Sequence, residues 1–217
     1  LSPEAFVDAL LARGARALVV GPDFRFGAAR AGDVALLGQL AQARGFTLMI
    51  EPPVKLDAER VSSSAVRAAI ASGNVRRAAQ YLGRVHETKG RVVEGHRRGR
   101  TIGFPTANLD LEPVMSPQDG VYAVFARELG TGDRSLLRGV ANLGLRPTFD
   151  AGRSMEVHLF DFDRDIYGHE LRIGFVERIR GEQRFAGIDE LRTQIALDCK
   201  RARAVLENIP TTWTELL

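Results

Sequence analysis

From Phe6 to Leu11 the apolar positions recur at helical spacing, and Ala17-Leu18-Val19-Val20 follows as a short apolar run stopped at Gly21, read as a buried strand. Gly32 to Ala43 predicts a second amphipathic helix. Thr47-Leu48-Met49-Ile50 predicts a second strand, stopped by Pro52-Pro53. Helices and strands in alternation argue for a parallel α/β layer, although the segment is short for one whose strands are buried on both faces. Val61-Ser62-Ser63-Ser64-Ala65-Val66-Arg67 then opens a helix with a serine cap, and Gly73 to Leu82 predicts another, ended by Gly83. Beyond Arg84 the period drops to two. Val121, Ala123 and Phe125 alternate with Tyr122, Val124 and Ala126, and Met155, Val157 and Leu159 with Glu156, His158 and Phe160. Leu171, Ile173 and Phe175 mark a further strand, so this half reads as an antiparallel sheet or barrel. Ile188 to Leu206 returns to helical spacing, with Ile188, Leu191, Ile195 and Leu206 apolar and Lys200, Arg201 and Arg203 exposed.

The change of texture places a domain boundary between Gly83 and Arg84, giving segments 1–83 and 84–217. Composition adds little to that picture. The 217 residues are 45% hydrophobic, and no apolar run approaches the roughly 20 residues of a membrane span. Leu1-Ser2-Pro3-Glu4 carries neither the basic nor the apolar region of a secretory signal. The single Cys199 cannot form an internal disulfide, so a reducing, cytoplasmic setting is expected, with the thiol packed rather than nucleophilic. A net charge of +3 suits anionic nucleotides and is too small to argue for nucleic acid.

The chemistry concentrates in Gly95 to Asn108, GHRRGRTIGFPTAN. Gly95, Gly99 and Gly103 bracket His96, Arg97, Arg98 and Arg100, which reads either as a loop folding over phosphates or as a solvated basic loop. Pro105 suits a strand start. Thr106 and Asn108, two apart on an extended backbone, share a face and present hard oxygen ligands fit for a magnesium–phosphate cluster. Asp161, Asp163 and Asp165 alternate without the glycine and distal glutamate of a calcium loop, and read as a charged hairpin turn. His158 and His169 read as structural or surface residues, because no third ligand is spaced for a metal.

Gly-Arg followed by Gly-Phe-Pro-Thr-Ala-Asn resembles the ATP-binding motif of riboflavin kinases, and it does not fit a Walker loop. The resemblance continues through Gly90–Gly95, Gly120–Val124, Gly139–Gly144, Arg146–Phe149, Met155–His158, Tyr167-Gly168 and Arg180–Phe185, in the family's order. Val20–Gly27 and Ser62–Arg67 resemble the adenylyltransferase half of bifunctional riboflavin kinase/FAD synthetases. The fold so implied is an α/β remnant of a Rossmann-like nucleotidyltransferase, then a mainly antiparallel six-stranded Greek-key barrel closed by a C-terminal helix.

The resemblance also implies roles. Gly95, Arg100, Gly103, Pro105, Thr106 and Asn108 would bind ATP and its phosphates, with Thr106 and Asn108 on Mg²⁺. Glu156 matches the family's catalytic glutamate, whereas alternation alone reads it on a solvent face with His158 and Phe160. Arg178, Arg180 and Arg184 could contact flavin or phosphate, or form a solvated edge. Ser62, Ser63 and Arg67 match phosphate-binding positions of the adenylyltransferase half, with Ser64 where the family usually has threonine. None of the four histidines falls in the His-x-Gly-His motif that the family carries upstream, so an N-terminally truncated chain is expected. The implied activity is phosphorylation of riboflavin by ATP to FMN, with FAD formed only by a parent enzyme. Neither a nucleic-acid nor a membrane partner is expected. The alternatives are a nucleic-acid-binding barrel, disfavoured because the basic loop lacks interleaved aromatics, and a flavin-binding module without turnover.

Overall fold

The structure is a computed structural model and describes residues 1–95, 99, 102–133, 135–145 and 153–213. His96, Arg97, Arg98, Arg100 and the Arg146–Phe149 motif therefore lie outside the described residues. The chain divides into two compact units, Leu1–Val61 and Ser62–Leu217. The boundary expected between residues 83 and 84 marks the change of sequence texture and falls inside the second unit.

In the first unit, α1 (Pro3–Ala12) starts at Ser2, whose hydroxyl accepts from the Ala5 N–H, and α2 (Val34–Arg44) starts at Asp33, which accepts from the Leu36 N–H. The strands β1 (Ala17–Val20) and β2 (Thr47–Ile50) pair in parallel, and β3 (Lys55–Leu56) and β4 (Glu59–Arg60) form a short antiparallel hairpin. Val7, Phe26, Leu37, Leu40 and Phe46 make the core, against which Leu18, Val20 and Leu48 pack. The expectation of a buried β1 is corrected. Alternate side chains of this two-stranded sheet point away from the helices, leaving Val19 60% and Met49 49% exposed.

In the second unit, α3 (Ser63–Ala71) and α4 (Val75–Leu82) precede the strands β5 (His86–Val93), β6 (Ala107–Leu111), β7 (Gly120–Leu129), β8 (Leu137–Leu145), β9 (Arg153–Leu159) and β10 (Glu170–Arg180), and then α5 (Ile188–Glu207). Among the described residues, these six strands close into a barrel in the order β10-β5-β6-β9-β8-β7, every pair antiparallel. The run β7, β8, β9 is a meander and β6 returns beside β9, which is the Greek-key order. The Asp161–Asp165 stretch is corrected from a hairpin turn to a crossover, because it joins β9 to β10 and those strands do not pair.

Alternation sorts the barrel's two faces. Leu109, Tyr122, Val124, Leu143, Met155 and Phe175 fill the interior. On the outside, Val121, Ala123, Phe125, Val140 and Val176 are apolar as well, and there Cys199, Ala202 and Leu206 of α5 cover them. The strand β7, buried on both faces, therefore reads as a nearly continuous apolar run. The outer face of β6 and β9 carries Asn108, Asp110, Ser154, Glu156 and His158 instead. The surface is polar where the helix does not reach.

Candidate active site

That polar surface forms the floor of a cleft of about 1150 Å³ in the second unit. Its floor is a single cross-strand row. Asn108 pairs with Glu156, Glu156 with Asn142, Asn142 with Val121, and Val121 with Arg180. Directly opposed residues in antiparallel strands hold their Cβ atoms about 5 Å apart, so Glu156 has an amide side chain within reach on each side. A second row beside it sets Asp110 against Ser154.

One wall comes from the glycine segment. A Cβ at Gly95 would overlap the Asn108 amide, and one at Gly99 would overlap the Phe104 carbonyl, so both positions need the backbone's close approach. The Ile102 and Phe104 N–H groups donate to the Gly99 carbonyl at 3.2 and 2.9 Å and close the turn. His158 fastens it to β9. Its Nδ1–H donates to the Pro105 carbonyl at 2.8 Å, and its ring meets Phe104 and Phe160 edge-on at 5.5 and 5.8 Å.

The opposite wall is built by the segment after β10 and by α5, through Glu182, Phe185, Leu191 and Ile195. The Arg180 Nε–H donates to Asp198 at 2.9 Å, and its Nη1 donates to the Gly181 carbonyl at 3.0 Å. Simple alternation would put Arg178 and Arg180 on one face. A β-bulge between them breaks it, pairing Arg178 with inward-facing Tyr122 and Arg180 with outward-facing Val121. Arg178 is thereby used structurally, donating to the Asp119 carbonyl at 2.6 Å. Among the described residues, no group of three or more His, Cys, Asp or Glu side chains is placed to hold a metal.

A riboflavin kinase family model matches residues 82–206, more than half of the chain, and an FAD synthetase model matches residues 1–65. The chain belongs to the riboflavin kinase family. The bifunctional riboflavin kinase/FMN adenylyltransferase of Escherichia coli K12 is 45% identical over 206 residues, 94% of this chain and 65% of that protein. The corresponding Bacillus subtilis protein is 37% identical over 215 residues, 96% of this chain and 66% of that one. The chain thus spans 65% of the length of the first of these curated relatives. A crystal structure described as a macrolide-efflux protein from Streptococcus pneumoniae superposes with a TM-score of 0.83 at 34% identity, over 97% of this chain and 66% of that one.

Against this family frame, the residues singled out in the sequence fall into groups. Gly95, Thr106, Asn108, Glu156 and Arg180 all line the one cleft. Gly103, at φ +86°, and Pro105 are exposed and shape the turn beside it. Arg184 is exposed and does not line the cleft. Ser62 spends its hydroxyl as the cap of α3, accepting from the Ala65 N–H at 3.2 Å, with Ser63 and Arg67 exposed along the same first turns. Sequence reasoning missed Asn142, Glu182 and Asp198. Asn142 was legible in principle as the polar residue among Val140, Ala141 and Leu143, but only strand register brings it to Glu156.

Proposed function

We propose that this chain transfers the terminal phosphoryl group of ATP to the 5′-hydroxyl of the ribityl chain of riboflavin, giving FMN and ADP. The observation that carries the proposal is the row Asn108–Glu156–Asn142 on the floor of a cleft walled by the glycine segment. The acceptor hydroxyl sits at Glu156, whose carboxylate takes the proton as the O–P bond forms. The bond to the β-phosphate oxygen of ATP breaks and ADP leaves. Phosphoryl transfer is mostly positioning and charge stabilisation, so the glycine backbone and Arg100 serve by holding the phosphates in line.

Thr106 and Asn108 would hold Mg²⁺. Their hard, neutral oxygens suit it, and the Asn108 amide is seated where only a glycine at position 95 leaves room. A cation there supplies charge neutralisation for the departing phosphates. Arg180, at the other end of the row, serves the flavin, and Arg184, outside the cleft, has no part in it. In the whole protein, by its likeness to bifunctional relatives, we assign residues 1–83 to an adenylylating half that converts FMN to FAD, with Ser62, Ser63 and Arg67 on its phosphate side. Residues 84–217 carry the kinase chemistry. A cytoplasmic setting suits both small-molecule substrates and the free, buried Cys199.

The test is incubation of the chain with riboflavin, ATP and Mg²⁺, followed by chromatography of the flavins. Multiple turnovers to FMN are expected, and their loss when Mg²⁺ is chelated. Riboflavin bound but unchanged would leave only the non-catalytic module.

A further inference from the structure

We propose that Asp198 is a positioning residue, which from within α5 aims the Arg180 guanidinium into the flavin end of the cleft. This rests on the riboflavin kinase reading above and names the group that sets its acceptor specificity.

Asp198 lies mid-helix and is only 4% exposed. Both its oxygens are engaged, Oδ2 by the Arg180 Nε–H at 2.9 Å and Oδ1 by the Gln194 amide at 2.8 Å. Arg180 is further held by the Gly181 carbonyl and lies over the Phe185 ring at 5.5 Å. Burying a carboxylate in a helix otherwise packed by Cys199, Ala202 and Leu206 is costly. Hydrophobic replacements of buried ion pairs are often as stable as the pair itself, so stability is a weak account of this one.

Position does account for it. The bulge after Arg178 turns Arg180 outward, and Asp198 with Gly181 fixes two of its nitrogens in a residue that still lines the cleft. Along the row, Arg180 is three strand spacings from Glu156, roughly 14 Å over the barrel surface. A five-carbon chain ending in the reacting hydroxyl, followed by a flat tricyclic ring with carbonyl oxygens, spans that distance. A guanidinium held in plane suits those carbonyls, and one left loose loses its directionality.

The variants Asp198→Asn and Arg180→Met/Asp198→Leu are compared with the wild-type chain. Riboflavin affinity is read by quenching of flavin fluorescence, KM for riboflavin and ATP by FMN formation, and Tm by melting. Asp198→Asn removes the charge and leaves one oxygen for two donors, Arg180 and Gln194, and should weaken riboflavin binding and raise its KM about tenfold or more, leaving the ATP KM within about twofold. Its Tm should fall by roughly 10 °C, since one partner of a buried pair is lost. The double variant should recover the Tm without recovering riboflavin affinity. Should the double variant regain both, or should Asp198→Asn raise the ATP KM as much as the riboflavin KM, the pair is a strut and the proposal fails. A wild-type chain that binds riboflavin but makes no FMN overturns the reaction alone, with the pair still judged by binding. A wild-type chain that does not bind riboflavin overturns both.

Discussion

Glu156 is flanked across the strands by Asn108 and Asn142, and its position on an exposed outer face lets substrate reach it without disturbing the barrel core. Glu156→Gln should therefore keep the fold and riboflavin binding and lose about 10²–10⁴ in turnover, the usual worth of a positioned base. Steady-state FMN formation decides it, and near-normal turnover removes Glu156 from the chemistry. Thr106→Val and Asn108→Ala act beside Glu156, on the side of the glycine segment. They should raise the ATP and Mg²⁺ concentrations needed for half-maximal rate and leave riboflavin affinity unchanged. If riboflavin affinity alone collapses in the titrations, both residues belong to the flavin pocket instead. Cys199 is a residue of a different kind. Burial, with the Asp198 carboxylate beside it, pushes its thiol up to about 11. The thiol rather than the thiolate is then present at pH 8, and only the thiolate is nucleophilic. A chromogenic disulfide reagent should leave the native chain unlabelled at that pH and label it at the rate of a free thiol once denatured. Rapid labelling of the native protein would contradict the packed role.

At the scale of elements, α5 is the piece that completes the cleft, and it is strapped to the barrel at several levels, the Arg201 guanidinium donating to the Ile179 carbonyl at 3.0 Å among them. Arg180 and Asp198 tie its middle, and Arg203 reaches Asp161 at 2.8 and 3.0 Å while lying 4.2 Å over the Phe160 ring. The Arg203 hydrogen bonds hold the Asp161 carboxyl below its ordinary value. A carboxyl depressed on folding contributes stability above its unfolded value, about 3.9, and loses it as the pH falls through the lower folded value. Thermal melts of wild type and Asp161→Asn should therefore differ by a small constant amount from about pH 5 upward and converge toward pH 2. A difference that grew on acidification would have the wrong sign. Much of this architecture was legible in the chain. The period of two in β7 and β9 and the helical spacing of α5 are strong patterns, and the shared face of Thr106 and Asn108 follows from strand geometry alone. Barrel closure was expected from the family motifs and is found, whereas alternation alone left a sheet or a barrel, because β5 and β8 contain glycines that dilute it and pairing of β6 with β9 is a long-range choice. Ile188, expected on the packed face of α5, is 61% exposed. Asp198 shares the packed face with Leu191, Ile195 and Ala202 by helical spacing, but a carboxylate there reads as a break in the stripe until its partner on another element is known. The bulge that separates Arg178 from Arg180 has no signature of its own in Arg-Ile-Arg.

At the scale of the whole chain, the compact unit that holds the cleft begins at Ser62, before the change of texture at Arg84. The reason is that α4 is part of the barrel's packing. Val75 is fully buried in the interior cluster, and Ala79 is fully buried in the layer beneath α5. The Arg76 guanidinium meets Glu177 of β10 at 2.7 Å. At the turn between α3 and α4, a Cβ on Gly73 would run into Arg178 and the Tyr122 hydroxyl, so the two helices sit tightly on that end of β7 and β10. A fragment spanning residues 62–217 should therefore unfold cooperatively and form FMN at the rate of the full chain. A fragment spanning 84–217 keeps every residue that lines the cleft, from Val93 to Asp198. It loses the surface buried against the barrel by Val75 and Ala79, worth roughly 3 kcal/mol by apolar area. For a domain of this size that corresponds to a Tm lower by about 10 °C, with kcat near that of the longer fragment at temperatures where it remains folded. Differential scanning calorimetry and FMN assays on the two fragments separate the outcomes. Equal Tm values would show that α3 and α4 do not belong to the barrel's core. A lower kcat at full foldedness would show that they act on the cleft itself, through the Arg178–Tyr122 end of the barrel.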